Sequence, residues 1–395
     1  MEKMKKIIYL FSAFFMLSLF SCSDNDEPTP AEDKDAEKVT RTILIYAINN
    51  SNLATDFSDD SREILKGVKD AAQSDARVLL YRYDNENTCG LYRVDMDKNN
   101  ETYFQLIKSY ERKQTSTSPD RINEVITDAL ALYPNAQYDM IFWGHGSSWA
   151  PKFTGHDLVN NGPQKAYGGE YDGGKDSKGY PSTNDTEIDE LARAIPDHRF
   201  QTIWFDCCYM GNIEVIYQLR NKCDFFVAYP TEIYSPGMPY DKTLPYLMNQ
   251  EHNLVAAAGT IADFYNNSRY TVAVIDMSKL EPVADVAARV FKTGDLRPDR
   301  YSLVKYHTST STVPLYDLRQ YLREIANLNG NPQLADEVSD TVDSMVLFHA
   351  ESQFDFGGNY WDVSNISGIS ISPFTNGTTK EDDYYRTLDW YHRVY

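Results

Sequence analysis

The sequence predicts an α/β protein with a mostly parallel central sheet. Short apolar runs rich in β-branched and aromatic residues recur along the chain, and such runs are typical of strands buried on both faces. Segments with helical periodicity lie between them, so strand and helix alternate as in right-handed βαβ units. The 395 residues, 42% of them hydrophobic, are enough to form a large core.

Six apolar runs are predicted as strands of this sheet. They cover residues 42–48, 77–83, 138–143, 202–205, 224–229 and 271–275. The predicted helices cover residues 59–72, a segment capped by Ser118-Pro119-Asp120, residues 186–195 and residues 212–219. In the second helix Pro119 favours the first turn, and the apolar residues after it keep the helical period.

Two parts of the chain depart from this alternation. The interval 150–185 contains seven glycines and no apolar periodicity, and a structureless segment of this length is usually functional or disordered. After about residue 280 the pattern is mixed, with a helix predicted at residues 315–328 and a strand at 367–372. We therefore expect a core at residues 40–280 that contains the long loop 150–185, and a C-terminal subdomain at 281–395 packed on the core.

The N-terminus has the layout of an export signal. A basic head precedes an apolar run at residues 7–20, which has the length of a signal-peptide core and is too short to span a membrane. The run closes on Leu19-Phe20-Ser21-Cys22, which resembles a bacterial lipobox. Residues 1–22 are then a lipoprotein signal and Cys22 is the lipidation site. An ordinary cleaved signal peptide is the alternative.

Residues 23–39 are predicted to form an acidic, flexible tether. Seven acidic residues and two prolines lie between residues 23 and 38, a composition typical of a solvated, extended chain. An acidic run directly after a lipidated cysteine is similar to the surface-export signal of Bacteroidota lipoproteins. We expect a protein anchored at the bacterial outer membrane, on the cell surface or the periplasmic face, that contacts the membrane through its lipid only. The net charge of −20 argues against a nucleic-acid partner.

Two of the apolar runs lead directly into reactive side chains. His145 follows the strand at 138–143, and Cys208 follows the strand at 202–205. The carboxyl ends of neighbouring parallel strands open onto one crevice, so we expect these two side chains to face each other there. A cysteine nucleophile and its base require this arrangement.

The remaining cysteines do not have the spacing of a disulfide framework. They are Cys89, Cys207, Cys208 and Cys223. The adjacent pair is expected to point to opposite faces, one thiol buried as a small hydrophobe and the other in the crevice. The residues alone do not say which thiol of the pair attacks.

The two reactive segments resemble those of caspase-fold cysteine peptidases, and of the clostripain family in particular. The resemblance rests on His145-Gly146-Ser147 with Trp149, on Asp206-Cys207-Cys208-Tyr209-Met210-Gly211 and on Ile213-Glu214-Val215. Residues 228–240 and the strand near residue 367 also fit, so it covers about residues 40–375. It implies a caspase-like α/β/α sandwich. Cys207 and Tyr209 depart from the family pattern, in which small and aliphatic residues are more usual.

The resemblance also implies roles for these residues. Cys208 is the nucleophile, because the family places it two residues after the aspartate, and His145 completes the dyad without a third residue. A thiol is mostly protonated at neutral pH, so it needs a base or a field that lowers its pKa. The backbone N–H groups of Gly146 and Cys208 form the oxyanion hole. Because Gly146 has no Cβ, its backbone N–H can approach the developing oxyanion closely.

The implied reaction is hydrolysis of proteins or peptides after arginine or lysine. Asp206 matches the family position that lines the pocket for this basic side chain, and a carboxylate suits a guanidinium group. The alternative is a strand-end aspartate that caps the following helix. Glu232 is a second candidate carboxylate for the cleft.

Clostripain-like enzymes are made as zymogens that are cut after a basic residue between the catalytic histidine and cysteine. The loop 150–185 occupies this interval, and it offers Lys152, Lys165, Lys175 and Lys178. Cleavage at one of them is expected to activate the protein. The alternative is a surface insert that plays no part in activity.

Other classes of function and site carry less support. A catalytically inactive caspase-fold surface binding protein and a glycan-binding lipoprotein both stay open, the latter because aromatic platforms stack on sugars. The histidines and cysteines lack zinc-ligand spacing, and the chemistry needs no cofactor. Calcium is required by some relatives, but the acids Asp56, Asp59 and Asp60 lack the spacing of an EF-hand loop.

Overall fold

The computed structural model describes residues 33–71, 75–150, 167–175, 181–234, 236–266, 268–299, 301–306, 314–354, 358, 360–374 and 377–395. The strands are β1 (Arg41–Ala47), β2 (Ala76–Asn85), β3 (Thr88–Met96), β4 (Thr102–Glu111), β5 (Gln137–Trp143), β6 (His145–Gly146), β7 (Tyr167–Lys175), β8 (Pro181–Thr186), β9 (Phe200–Asp206), β10 (Cys223–Ala228), β11 (Thr271–Asp276), β12 (Tyr316–Asp317), β13 (Val346–Glu351) and β14 (Ser370–Ile371). The helices are α1 (Ala54–Asp70), α2 (Pro119–Leu132), α3 (Ile188–Ala194), α4 (Ile213–Gln218), α5 (Tyr240–Met248), α6 (Leu254–Tyr265), α7 (Leu280–Phe291), α8 (Leu318–Leu328), α9 (Pro332–Met345), α10 (Lys380–Tyr385) and α11 (Asp389–Val394). The predicted signal peptide, Cys22 and most of the predicted tether lie outside the described residues.

A nine-stranded central sheet organises the described chain, in the order β13-β11-β10-β9-β5-β1-β2-β3-β4. The strands β10, β9, β5, β1 and β2 in its centre run parallel. The strands at both edges pair antiparallel. All the predicted strands of the core are present within about two residues of their predicted ends, so the predicted α/β class with its parallel sheet is confirmed.

Helices cover both faces of the sheet and produce three layers. Ile43 and Ile45 of β1 pack in a core with α1, α5 and α6. Leu44, between them, packs in the opposite core with residues of α2, α4 and α7. β1 is buried at every position because both faces are covered, and this explains its continuous apolar sequence. Within the described residues, no helix is long and apolar enough to cross a membrane.

A second, three-stranded sheet occupies part of the interval that was predicted to be structureless. β7 pairs antiparallel with β8 and with β6, the strand that begins at His145. Glu170 of β7 is fully buried; it accepts a hydrogen bond from the Ser116 N–H at 2.6 Å and lies 3.0 Å from the Arg112 guanidinium. The prediction is wrong for residues 167–175 and 181–185, because glycine backbone and one buried carboxylate, rather than apolar alternation, build this hairpin.

The C-terminal residues are continuous with the core. β13 completes one edge of the central sheet by pairing with β11, and the predicted subdomain boundary at residue 281 lies within α7. The Trp149 indole N–H donates to Ser372 Oγ at 2.7 Å. Glu214 Oε1 accepts from the Ser372 N–H at 3.0 Å and from the Tyr385 hydroxyl at 2.8 Å. The segments that follow β5 and β9 are therefore held by residues near the C-terminus.

Candidate active site

His145 lies two residues beyond the end of β5, in the middle of the parallel sheet. Its Nε2 is 2.7 Å from Oδ1 of Asn52, which lies between β1 and α1. With the amide oxygen as acceptor, Nε2 carries the ring proton and Nδ1 keeps its lone pair. Burial lowers the pKa of His145 to about 4, because the imidazolium is desolvated there. The ring is therefore neutral at neutral pH.

The adjacent cysteines lie in the turn directly after β9 and point in different directions, as predicted. Cys207 is fully buried, and its thiol donates to the carbonyl oxygen of Phe142 at 3.3 Å. Cys208 is partly exposed, and its Sγ accepts from the Ile233 N–H at 3.5 Å. Burial raises the pKa of Cys208 to about 12. The thiol that faces the cleft is thus protonated at neutral pH. All four cysteines of the described chain are free.

Gly146 brings the strand that carries His145 against the turn that carries Cys208. A Cβ at this position would lie 2.4 Å from the Cys208 carbonyl oxygen and 2.9 Å from the Cys207 Cβ. These distances are too short for any larger residue, so the contact requires glycine. The backbones of the two predicted oxyanion donors are therefore neighbours.

One pocket of about 150 Å³ joins the two reactive side chains. Its lining comes from the last residues of β5 and β9 and from the segments after β1, β5, β9 and β10: Leu53, Asp56, Asp60, Trp143, Gly144, His145, Asp206, Cys208, Ile233, Tyr234, Pro236 and Gly237. The sheet thus brings His145 and Cys208 into one cleft at the carboxyl ends of its parallel strands.

Asp206 forms part of the wall of this pocket and is almost fully buried. Its carboxylate accepts from the Met238 N–H at 3.2 Å and from the Tyr240 hydroxyl at 3.1 Å. Burial raises the pKa of Asp206 to about 7, although both hydrogen bonds oppose this shift. The capping alternative is excluded, because the residue at the N-terminus of α4 is Asn212 and the Asp206 carboxylate binds the segment before α5.

Gly237 makes this position of Asp206 possible. Its φ of +68° lies in the left-handed region that favours glycine, and a Cβ there would come within 3.2 Å of both Asp206 carboxylate oxygens. The hydroxyl of Tyr265 donates to the Gly237 carbonyl at 2.8 Å and to that of Tyr234 at 2.9 Å. These contacts hold the loop that closes one side of the pocket.

Glu232 does not line the pocket beside Asp206. It is partly buried, and its charge contributes to the raised pKa of Cys208. The second fully buried carboxylate of the wall is instead Asp60 of α1, which accepts from the Trp143 indole N–H at 2.7 Å. No pattern in the sequence indicates a role in the pocket for Asp60 or Asn52.

A family model of the clostripain family, peptidase C11, matches residues 45–394. This chain belongs to the clostripain family of cysteine peptidases. No significant match to a curated protein was found. Solved structures of C11 proteases have the same fold, so the predicted caspase-like fold is confirmed.

Three solved structures are similar to this clostripain-family chain. An inactive zymogen C11 protease from Parabacteroides distasonis is 22% identical, with a TM-score of 0.74 over 90% of this chain and 98% of that chain. A secreted C11 cysteine protease from Bacteroides thetaiotaomicron in complex with an irreversible peptide inhibitor is 25% identical, with a TM-score of 0.73 over 90% and 98%. Another secreted C11 cysteine protease from that organism is 19% identical, with a TM-score of 0.75 over 90% and 99%.

The remaining candidate residues lie away from the pocket or outside the described chain. Lys175 ends β7, where it pairs with Pro181, whereas Lys152, Lys165 and Lys178 lie outside the described residues. The described residues contain no group of three or more histidine, cysteine or acidic side chains placed to hold a metal ion.

The contact between Asn52 and His145 gives a test of the predicted dyad. Asn52→Ala should lower kcat about 10- to 100-fold, because the imidazole loses the acceptor that fixes its tautomer and orientation. Asn52→Asp should keep the acceptor and place a negative charge beside the ring, which raises the pKa of His145. The acidic limb of the kcat/KM profile should then move to higher pH. Peptide hydrolysis measured between pH 4 and 9 checks both variants.

Asn99→Ala, in an exposed turn remote from the pocket, is the matched control. An Asn52→Asp profile that coincides with the wild-type profile would show that Asn52 does not act on the imidazole.

Proposed function

We propose that this clostripain-family protease is an endopeptidase that cleaves after arginine or lysine through Cys208 and His145. The observation that carries the proposal is the buried Asp206 carboxylate in the wall of the pocket that both side chains line. A buried carboxylate without a protein cation is costly, and a basic substrate side chain supplies the missing positive charge. The hydrogen bonds from Met238 and Tyr240 hold this carboxylate in place for a cation that enters.

In the proposed reaction the neutral dyad exchanges one proton. Cys208 Sγ attacks the scissile carbonyl carbon, the S–C bond forms, and the thiol proton passes to His145. The carbonyl oxygen becomes an oxyanion, to which the N–H groups of Gly146 and Cys208 donate. The C–N bond then breaks, and His145 gives its proton to the leaving amine. Water then attacks the thioester carbonyl carbon while His145 takes its proton, and the S–C bond breaks to release the acid. His145 returns this proton to the Cys208 thiolate, so the thiol is restored without a cofactor.

Hydrolysis of fluorogenic peptides that end in arginine, lysine or aspartate tests this proposal, under reducing conditions with and without calcium. Wild-type protein should cleave the basic peptides only, and Cys208→Ala should abolish turnover. Asp206→Asn should lower kcat/KM for the basic peptides at least about 100-fold, because the buried partner of the cation is lost. Asp224→Asn, an exposed aspartate at the start of β10, is the matched control.

A folded, loop-cleaved protein that turns over none of these peptides would contradict the proposal. It would favour the inactive surface binding protein that shares this fold. Turnover of the aspartate peptide alone would contradict the assignment of Asp206.

We further propose that the protein activates itself by cleavage after Lys152, Lys165, Lys175 or Lys178. The connection between β6 and β9 supports this proposal, because it contains all four lysines. In this connection β7 pairs with β6, the strand that carries His145, so it is attached directly to the predicted active site. Mass spectrometry of purified wild-type protein should show a cut at one of these lysines, and Cys208→Ala should stay intact. An uncut wild-type chain that hydrolyses peptides would disprove this step.

For export, we propose lipidation at Cys22 and anchoring at the outer membrane, on the support of the lipobox and the acidic run that follows it. Cells fed an alkyne fatty acid should label the wild-type protein and leave Cys22→Ser unlabelled. Added proteinase on intact cells then distinguishes the outer surface from the periplasmic face. Equal labelling of both proteins would contradict lipidation at this residue.

A further inference from the structure

Asp60 is a buried acid that the dyad does not use. It lies on α1, is only 1% exposed and lines the same pocket as His145, Cys208 and Asp206. Its Oδ2 accepts the Trp143 indole N–H at 2.7 Å. Its Oδ1 is buried and has no hydrogen-bond partner among the described residues.

A structural role does not account for this oxygen. Trp143 needs one acceptor, which a neutral amide or hydroxyl would supply without a buried charge. A buried acceptor without a hydrogen-bond partner lowers the free energy of unfolding. Such acceptors are rare in native proteins, and each one calls for an explanation. The side-chain charges that act most strongly on Asp60 are those of Asp206, Glu63 and Asp56, all of them acidic. The protein therefore keeps an unsatisfied acceptor in an acidic pocket wall.

Burial and the neighbouring Asp206 raise the pKa of Asp60 to about 8. The other titratable groups that face it are Asp56 and Glu63 on its own helix, Tyr240 on α5, Tyr265 on α6, and His145 and Cys208 in the pocket. A cation that enters between two such carboxyls favours the charged form of both. A guanidinium group has five N–H donors in one plane, enough to reach two carboxylates at once.

We propose that Asp60 is a second carboxylate of the specificity pocket, whose Oδ1 accepts a hydrogen bond from the basic side chain that precedes the cleaved bond. Asp60 is thus a specificity-determining residue, and this assignment rests on the proposed function. Asp206 enters the pocket from the end of β9 and Asp60 from α1, so the two carboxylates approach the cation from different elements of the fold.

Asp60→Asn removes the charge and keeps an acceptor for Trp143. The decisive measurement is kcat/KM for a peptide that ends in arginine, divided by kcat/KM for the same peptide with citrulline, the neutral analogue of arginine. Asp60→Asn should lower this ratio about 10- to 100-fold, the range expected for a lost hydrogen bond to a charged group. The matched control is Asp59→Asn, an exposed acid at the preceding position of α1. An unchanged ratio in Asp60→Asn would overturn the proposal.

Binding of agmatine, a small guanidinium compound, separates this proposal from the proposed function. Titration calorimetry with Cys208→Ala and with Cys208→Ala/Asp60→Asn should show about 10- to 100-fold weaker binding in the double variant. Equal binding would overturn the role of Asp60 even in an active enzyme. Failure of the wild type to cleave basic peptides would instead refute the proposed function, and the agmatine comparison would still decide on Asp60.

The stability of the variant distinguishes a binding role from a structural one. A carboxyl whose pKa is higher in the folded than in the unfolded state destabilises the fold as the pH rises between these two pKa values. For Asp60 this window runs from its ordinary pKa of 3.8 to about 8. Asp60→Asn should therefore unfold at a higher temperature than wild type at pH 8, and the difference should vanish near pH 4. A lower unfolding temperature at every pH would indicate a structural residue and contradict the proposal.

Discussion

The register of three parallel strands determines the geometry of the active site. Trp143 of β5 pairs with Ala47 of β1 on one side and with Asp206 of β9 on the other. The three strands therefore end at the same level, and the turns that follow them carry Asn52, His145 and Cys208. Because backbone hydrogen bonds of the sheet set this level, no long segment has to fold over to bring the two residues of the proposed dyad into one cleft. The tight contact of Gly146 with Cys208 depends on the same register.

This constraint also explains which site residues the sequence revealed. His145 and Cys208 lie just after buried apolar runs, so the strand pattern alone places them at the carboxyl ends of the parallel strands. Asn52 follows β1 in a turn without any pattern, and only the fold brings it to the imidazole. Asp60 drew notice only as one of three acids that lack the spacing of a calcium loop. It lies four residues before Ile64, in the buried stripe of α1, where an acid is unusual, but the sequence does not show that this stripe reaches the pocket.

The elements that the sequence did not reveal share a physical cause. The strands of the parallel centre are covered on both faces and so have continuous apolar sequences. β4 at the sheet edge alternates only weakly between buried and exposed residues, because helices cover it incompletely. β7 contains four glycines and is anchored through Glu170, so hydrophobic periodicity carries no information about it. In these segments long-range pairing, rather than local composition, creates the strand.

Burial is the common cause of the unusual ionisation at the site. It lowers the pKa of His145 to about 4 and raises the pKa of Asp206 to about 7 and that of Cys208 to about 12. Each of these shifts is toward the neutral form of the group, since a charge there is poorly solvated. In the proposed reaction, the basic side chain of the substrate favours ionisation of the pocket carboxyls Asp206 and Asp60. The dyad transfers its proton only as the bond between Cys208 Sγ and the scissile carbonyl carbon forms. In this proposal, affinity for the cation and a protonated thiol both arise from burial at the same cleft.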